Sequence, residues 1–159
     1  MNVLQMFKKI EYVLIIAVTL IIVITLLGRI DDNIDFARST FGGLIGGNVL
    51  IEKNIGWEKL QCLDLDVGFY YGQLPNESEK TDYRRTFIKN FSAGFKKSGM
   101  NIRVFTDWKV YAINNDRVIV SAFDKRHRNT LFFTFSKAGG VRKLISITSG
   151  VMTNDKIQN

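Results

Sequence analysis

Seventeen consecutive residues without a charge, Tyr12 to Gly28 (YVLIIAVTLIIVITLLG), constrain this chain more than any other feature. A helix that is apolar on every side needs apolar surroundings, either a large core or lipid. Spanning a bilayer takes ~20 apolar residues, with a working range of about 17–25. Lys8 and Lys9 before the run and Arg29 after it sit where long cationic side chains snorkel to the two interfaces. A cleaved secretory signal has a shorter apolar region and a small-residue cleavage site. This run ends instead in Leu26-Leu27-Gly28-Arg29, with no Cys directly following for lipid attachment. The expectation is therefore an uncleaved single-pass anchor, with a cleaved signal and a buried core helix as the alternatives. Lys and Arg are nearly balanced around the run, so orientation rests on the short N-terminus staying in the cytoplasm and the chain being exported from Arg29 onward.

The helical period continues beyond the run. Ile30, Ile34, Ala37 and Phe41 keep one apolar stripe in line, while Asp31, Asp32, Asp35 and Arg38 fill the other side. A helix from about Phe7 to Phe41 is ~50 Å long at 1.5 Å per residue. The glycines between Gly42 and Gly47 then predict a flexible break. The expected organisation is a cytoplasmic N-terminus (1–11), a membrane helix (12–28), a stalk and Gly-rich linker (29–47), an exported domain (48–150) and a flexible tail (151–159).

The segment Ile10-Glu11-Tyr12-Val13-Leu14-Ile15-Ile16, leading into the apolar helix and Leu26-Leu27-Gly28, resembles the N-terminal region of Flp-type pilins of tight-adherence systems. The resemblance covers roughly residues 7–41 and rests on the Glu-Tyr pair that opens the hydrophobic helix. Met6 stands where peptidase processing in that family follows a Gly, and the chain is much longer than a major pilin. The resemblance implies a pilin-like subunit that assembles through this helix, with Glu11 and Tyr12 as its assembly residues. A carboxylate at the start of a helix also complements the helix dipole, and an interfacial Tyr is common beside any anchor.

The remainder reads as one small α+β domain. Asn48 to Lys53 predicts a short strand. Leu60 to Tyr70 predicts another, with Gln61, Leu63, Leu65, Val67 and Phe69 on the buried side. Asn76 with Glu79 three residues later, or Ser78 alone, predicts a helix start. Tyr83, Phe87, Ile88, Phe91 and Phe95 form its apolar stripe, and Lys96, Lys97 and Gly99 its stop. Four strand-like segments follow, over 101–112, 117–123, 130–136 and 141–148, joined by turns rich in Asn, Asp and Gly. The predicted architecture is an N-terminal transmembrane helix followed by one amphipathic helix packed on a curved antiparallel β-meander. This order resembles cystatin-like folds, including the domains found behind single anchors in type IV secretion scaffolds, a likeness of fold that carries no function.

Catalytic chemistry finds little to work with. One Cys (Cys62) and one His (His127) exclude a disulfide framework and the usual zinc sites. His127 lies between Arg126 and Arg128 in a predicted hairpin tip, where a turn residue is the simpler reading than a general base. Cys62 shares its segment with Asp64 and Asp66 rather than with a base. Those two carboxylates, two apart, read as an exposed strand face. The expectation is a non-enzymatic protein with no cofactor and no metal. The chain is basic, with 22 Lys+Arg against 15 Asp+Glu and a formal net charge of +7. Such a balance draws a tethered domain to anionic surfaces. Lys125, Arg126 and Arg128 are the candidate contacts, with Lys96-Lys97 and Arg84-Arg85-Lys89 as further clusters. The expected partners are membrane lipid, other subunits of an envelope complex and copies of the chain itself, rather than nucleic acid.

Overall fold

A computed structural model of the chain describes residues 3–150, with side chains for 14–25, 28, 32–137 and 139–150. The chain divides into two compact units, Met1–Asp32 and Asn33–Asn159. The expected tail at 151–159 lies outside the described residues.

In the first unit, helix α1 (Val3–Gly46, shared with the second unit) exposes every described side chain from Leu14 to Thr25. The hydroxyls of Thr19 and Thr25 donate back to the carbonyls of Ile15 and Ile21, both at 2.8 Å. Each polar side chain in this stretch is thus satisfied by its own helix. Among the described residues, no helix is long and apolar enough to cross a membrane.

The second unit is α+β, with a six-stranded mixed sheet. The strands are β1 (Gln61–Cys62), β2 (Leu65–Asp66), β3 (Phe105–Ile113), β4 (Arg117–Asp124), β5 (Asn129–Ala138) and β6 (Val141–Ser149), in the order β2-β1-β6-β5-β4-β3. Strands β3 to β6 form the expected antiparallel meander. The sheet is mixed because β1 pairs in parallel with β6, Gln61 opposite Ser146. One face carries Val118, Val120, Ala122, Leu131, Phe133, Phe135, Leu144 and Ile147, all buried. Against it pack the last part of α1 and helix α3 (Glu77–Lys97). Helix α3 starts and stops as its sequence dictates. The Asn76 side chain caps it by accepting from the Glu79 N–H at 2.9 Å, its amide also donates to the Glu79 carboxylate at 2.9 Å, and Gly99 closes the far end at φ 68°.

Four local expectations are corrected. The break at Gly42 does not occur, because α1 runs on to Gly46 and buries Ala37, Phe41, Leu44 and Ile45 in the core. It ends in a glycine-dependent motif. Gly47, at φ 73°, donates to Leu44 at 3.1 Å, and Asn48 donates to Gly43 at 2.9 Å. The segment read as stalk and linker is, from Asn33, part of the packed unit. Second, Val49–Asn54 is a 3-10 turn rather than a strand, because the Asn48 side chain caps it by accepting from the Leu50 N–H.

Third, the strand expected over Leu60 to Tyr70 is a tight hairpin followed by the short helix α2 (Val67–Gly72). Leu63 turns the chain at φ 55°, and the Asp66 carboxylate caps α2 by accepting from the Phe69 N–H at 3.0 Å. The buried side is accordingly reversed over residues 60–65 and again at Phe69, while Val67 is buried as expected. Leu60, Cys62 and Val67 are buried, whereas Leu63, Leu65 and Phe69 are exposed.

Fourth, strict alternation over 101–112 fails. A 3-10 turn holds Ile102–Val104, and a bulge with Asp107 at φ 52° brings Phe105 and Trp108 both against the core. On the sheet face away from the helices, Ile119, Ser121 and Phe132 are also buried, with Tyr111 set edge-on to Phe132 at 5.2 Å. The centre of the meander's second face is therefore buried as well.

Candidate functional site

The β4–β5 turn is where sequence-predicted site residues and an organised polar arrangement coincide. Asp124 ends β4 with only 3% exposure, and its carboxylate holds the whole turn. It accepts the backbone N–H groups of Arg126 at 2.9 Å and His127 at 3.2 Å, and its second oxygen lies 2.8 Å from His127 Nδ1. Burial by itself would raise the Asp124 pKa, but the hydrogen bonds from the His127 side chain and from the two N–H groups hold it below the usual carboxylate value. Arg128 completes the reversal at φ 55°. Lys125, Arg126, His127 and Arg128 are exposed around this anchored loop.

The tip does not stand alone. Arg126 Nη1 donates to the Ser98 carbonyl at the end of α3, and the Lys125 N–H donates to the Val104 carbonyl at 3.1 Å. These contacts bring Lys96 and Lys97 of α3, and Arg103 of the following 3-10 turn, to the same end as Lys125, Arg126 and Arg128. Two basic clusters separated in the sequence thereby become one. A guanidinium at a helix C-terminus also complements the partial negative charge there. The chemistry of this end is that of an anion-attracting surface held by a buried carboxylate.

The third basic cluster behaves differently. Arg84 donates to Tyr71 Oη at 2.7 Å, to Glu77 at 2.8 Å and to Thr81, and lies 3.4 Å from Glu52. Desolvation would lower its pKa, but the hydrogen bonds it donates to Glu77 and Tyr71 outweigh that and raise it. This arginine joins α2, α3 and the 49–54 turn. Arg85 and Lys89 remain exposed on α3.

Residues weighed for catalysis are not gathered into one place. Cys62 is buried, which pushes its thiol up to about 12. Asp66 is occupied as the α2 cap, and Asp64 is exposed in the β1–β2 turn. Among the described residues, no group of three His, Cys, Asp or Glu is placed to hold a metal ion. A surface hollow of about 320 Å³ is lined by Trp57, Tyr71, Ser136, Lys143 and Ile145 among others. Several of its polar groups are engaged internally: Trp57 Nε1 donates to the Glu52 carbonyl, and Lys143 Nζ donates to that of Lys53. Glu11 and Tyr12 belong to α1, with side chains outside the described ones.

Sequence reasoning missed Asp124 as the organiser of the basic tip. Its signal was present in Asp124-Lys125-Arg126-His127, a carboxylate two and three residues before the N–H groups it accepts. Comparison with known proteins finds no matching family model, no matching curated protein and no matching solved structure.

Proposed function

We propose that the chain is a non-enzymatic membrane-anchored subunit, pilin-like or scaffold-like, of a bacterial envelope machine for secretion, adhesion or DNA transfer. The N-terminal helix is its assembly element and the α+β unit its exported part. The observation that carries the anchor is the uncharged run Tyr12–Gly28. Its described members, Leu14 to Thr25, expose apolar side chains on all sides and return both threonine hydroxyls to their own helix. A helix with no polar side has no stable place in water. Glu11 and Tyr12, at the start of the run, are the assembly residues of this reading.

The test is the full chain in a bacterial host. Membranes are extracted at alkaline pH, sealed cells are treated with external protease, and the N-terminus and intact mass of the product are determined. An alkali-resistant product with an externally digested domain is expected. Release by alkali overturns the anchor, and full protection from protease overturns the orientation. Glu11→Ala is expected to abolish co-purification of differently tagged copies while leaving insertion intact; unchanged co-purification removes the assembly role.

A second reading has its own support in the joined basic end. Here the domain is a tethered module that recognises an anionic partner through Lys125, Arg126 and Arg128, aided by Lys96, Lys97 and Arg103. Retention on anionic polymer is then salt-sensitive, and it is lost in Arg126→Gln/Arg128→Gln. Equal retention of that variant rejects this reading.

A further inference from the structure

The two ends of the meander differ in chemistry, and chain connectivity ties one of them to the apolar run. Asn33 begins the second unit, and Arg142 Nη1 donates to its side-chain oxygen at 3.0 Å. Arg142 also lies over Phe36, with 4.8 Å to the ring centroid. It directly follows Val141, the first residue of β6 after the Gly139-Gly140 turn. The neighbouring β3–β4 turn is fastened to the same place. The Lys137 N–H donates to the Asp116 carbonyl at 2.7 Å, and Lys137 Nζ to that of Asn114 at 3.3 Å. Both hairpin tips therefore lie beside Asn33. Each ends in an exposed aliphatic side chain, Ile113 at 49% and Val141 at 55%. The basic turn is at the other end of β4, ~23 Å away at the usual strand rise.

We infer that Ile113 and Val141 seat the Asn33 end of the domain in the interfacial layer of the bilayer. The inference rests on the anchor reading. However residues 29–32 are arranged, they allow Asn33 to lie no more than ~17 Å from Gly28, the last residue of the apolar run. Chain connectivity thus keeps the Asn33 end of the domain within reach of the membrane surface. Charges near the tips are mixed, Asp32, Asp35 and Asp116 against Arg117, Lys137 and Arg142. Their attraction for anionic lipid largely cancels. The contact is therefore apolar, made by two aliphatic tips entering the headgroup region, and it does not depend on lipid charge.

Three exposed positions decide the matter in the full chain reconstituted into phosphatidylcholine vesicles. Ile113→Cys, Val141→Cys and Arg128→Cys are each labelled with an environment-sensitive fluorophore, the native Cys62 being buried. Quenching by spin-labelled lipid is read for each, with Leu20→Cys as a position inside the run. Labels at 113 and 141 are expected to be quenched several-fold more than the label at 128. The difference should persist in about 0.5 M salt, where charge interactions are screened within a few ångströms. Equal quenching at 113, 141 and 128, with strong quenching at 20, overturns this inference and leaves the anchor standing. A chain that does not float with the vesicles, and is unquenched at 20, overturns the anchor and the inference together. Quenching at 113 and 141 that vanishes in salt, or that needs anionic lipid, overturns the apolar contact.

Discussion

The ring of Phe41 lies 4.7 Å from that of Phe133, centroid to centroid, joining the last turns of α1 to the middle of β5. The same ring meets Phe91, Phe95 and Phe105 edge-on at 6.3, 5.8 and 5.0 Å. A residue that closes a stalk in a reading of the sequence is, in the folded unit, the hub on which two helices and the sheet converge.

Phe41→Ala is therefore expected to cost ~3–5 kcal/mol, the range for deleting a buried aromatic ring. Urea unfolding of the domain measures it. Phe41→Leu should cost clearly less because it keeps part of the volume. A loss below ~1 kcal/mol for Phe41→Ala would mean that α1 contributes little to the core.

Gly43 faces Ile51 so closely that an added Cβ would sit 2.4 Å from Ile51 Cγ2. In an ordinary helix interior Gly→Ala is stabilising by up to ~1 kcal/mol. Here Gly43→Ala is expected to destabilise instead, by ~1–3 kcal/mol, the usual cost of overpacking. Ile51→Ala in the Gly43→Ala background should recover part of the loss, and a double-mutant cycle reads the coupling. Additive costs would show that the contact is not the cause.

Asp124 makes stability depend on acid. Its folded pKa is held below the unfolded value, mainly against its own burial, by the bonds from His127 and Arg126. Its contribution is present above the unfolded value of 3.8 and is lost as pH falls through the lower folded value. Denaturant midpoints measured from about pH 6 downward should fall more steeply for the native chain than for Asp124→Asn. Parallel curves would show that the carboxylate does not hold the turn.

Cys62 works in the opposite sense. Burial raises its thiol from 9.0 to about 12, so the folded chain keeps a proton that the unfolded chain loses. Its contribution is present below pH 9.0 and is lost as pH rises toward 12. Thiol reagents at mildly alkaline pH should modify the native chain slowly, at a rate that rises with urea. Immediate modification without denaturant would contradict the burial.

Much of the unit was legible locally. Helix α3 could be read because Asn76, Glu79, Lys96, Lys97 and Gly99 act within a few residues of the groups they satisfy. Strands β4 to β6 could be read because their alternation survives pairing without a slip in phase over most of their length. Most of the misreadings have one of two physical origins. At Leu63 and Asp107 a non-glycine residue takes positive φ, and each such residue reverses which side chains face inward. At Gly42 and Gly43 the local preference for a break was overruled by the core that Phe41, Leu44 and Ile45 enter.

The candidate site divides in the same way. Lys125, Arg126 and Arg128 were visible as a charged turn, but their union with Lys96, Lys97 and Arg103 depends on Arg126 reaching Ser98, 28 residues earlier in the chain. The sequence by itself determined the uncharged run, the capped amphipathic helix and the hairpin meander, because each arises from backbone geometry and side-chain period within a short window. Only the tertiary structure decided that α1 completes the core, that β1 pairs in parallel with β6, and that the basic clusters share one end while Ile113 and Val141 lie beside Asn33. Those outcomes arise from contacts between residues far apart in sequence, whose packing outweighs local preference.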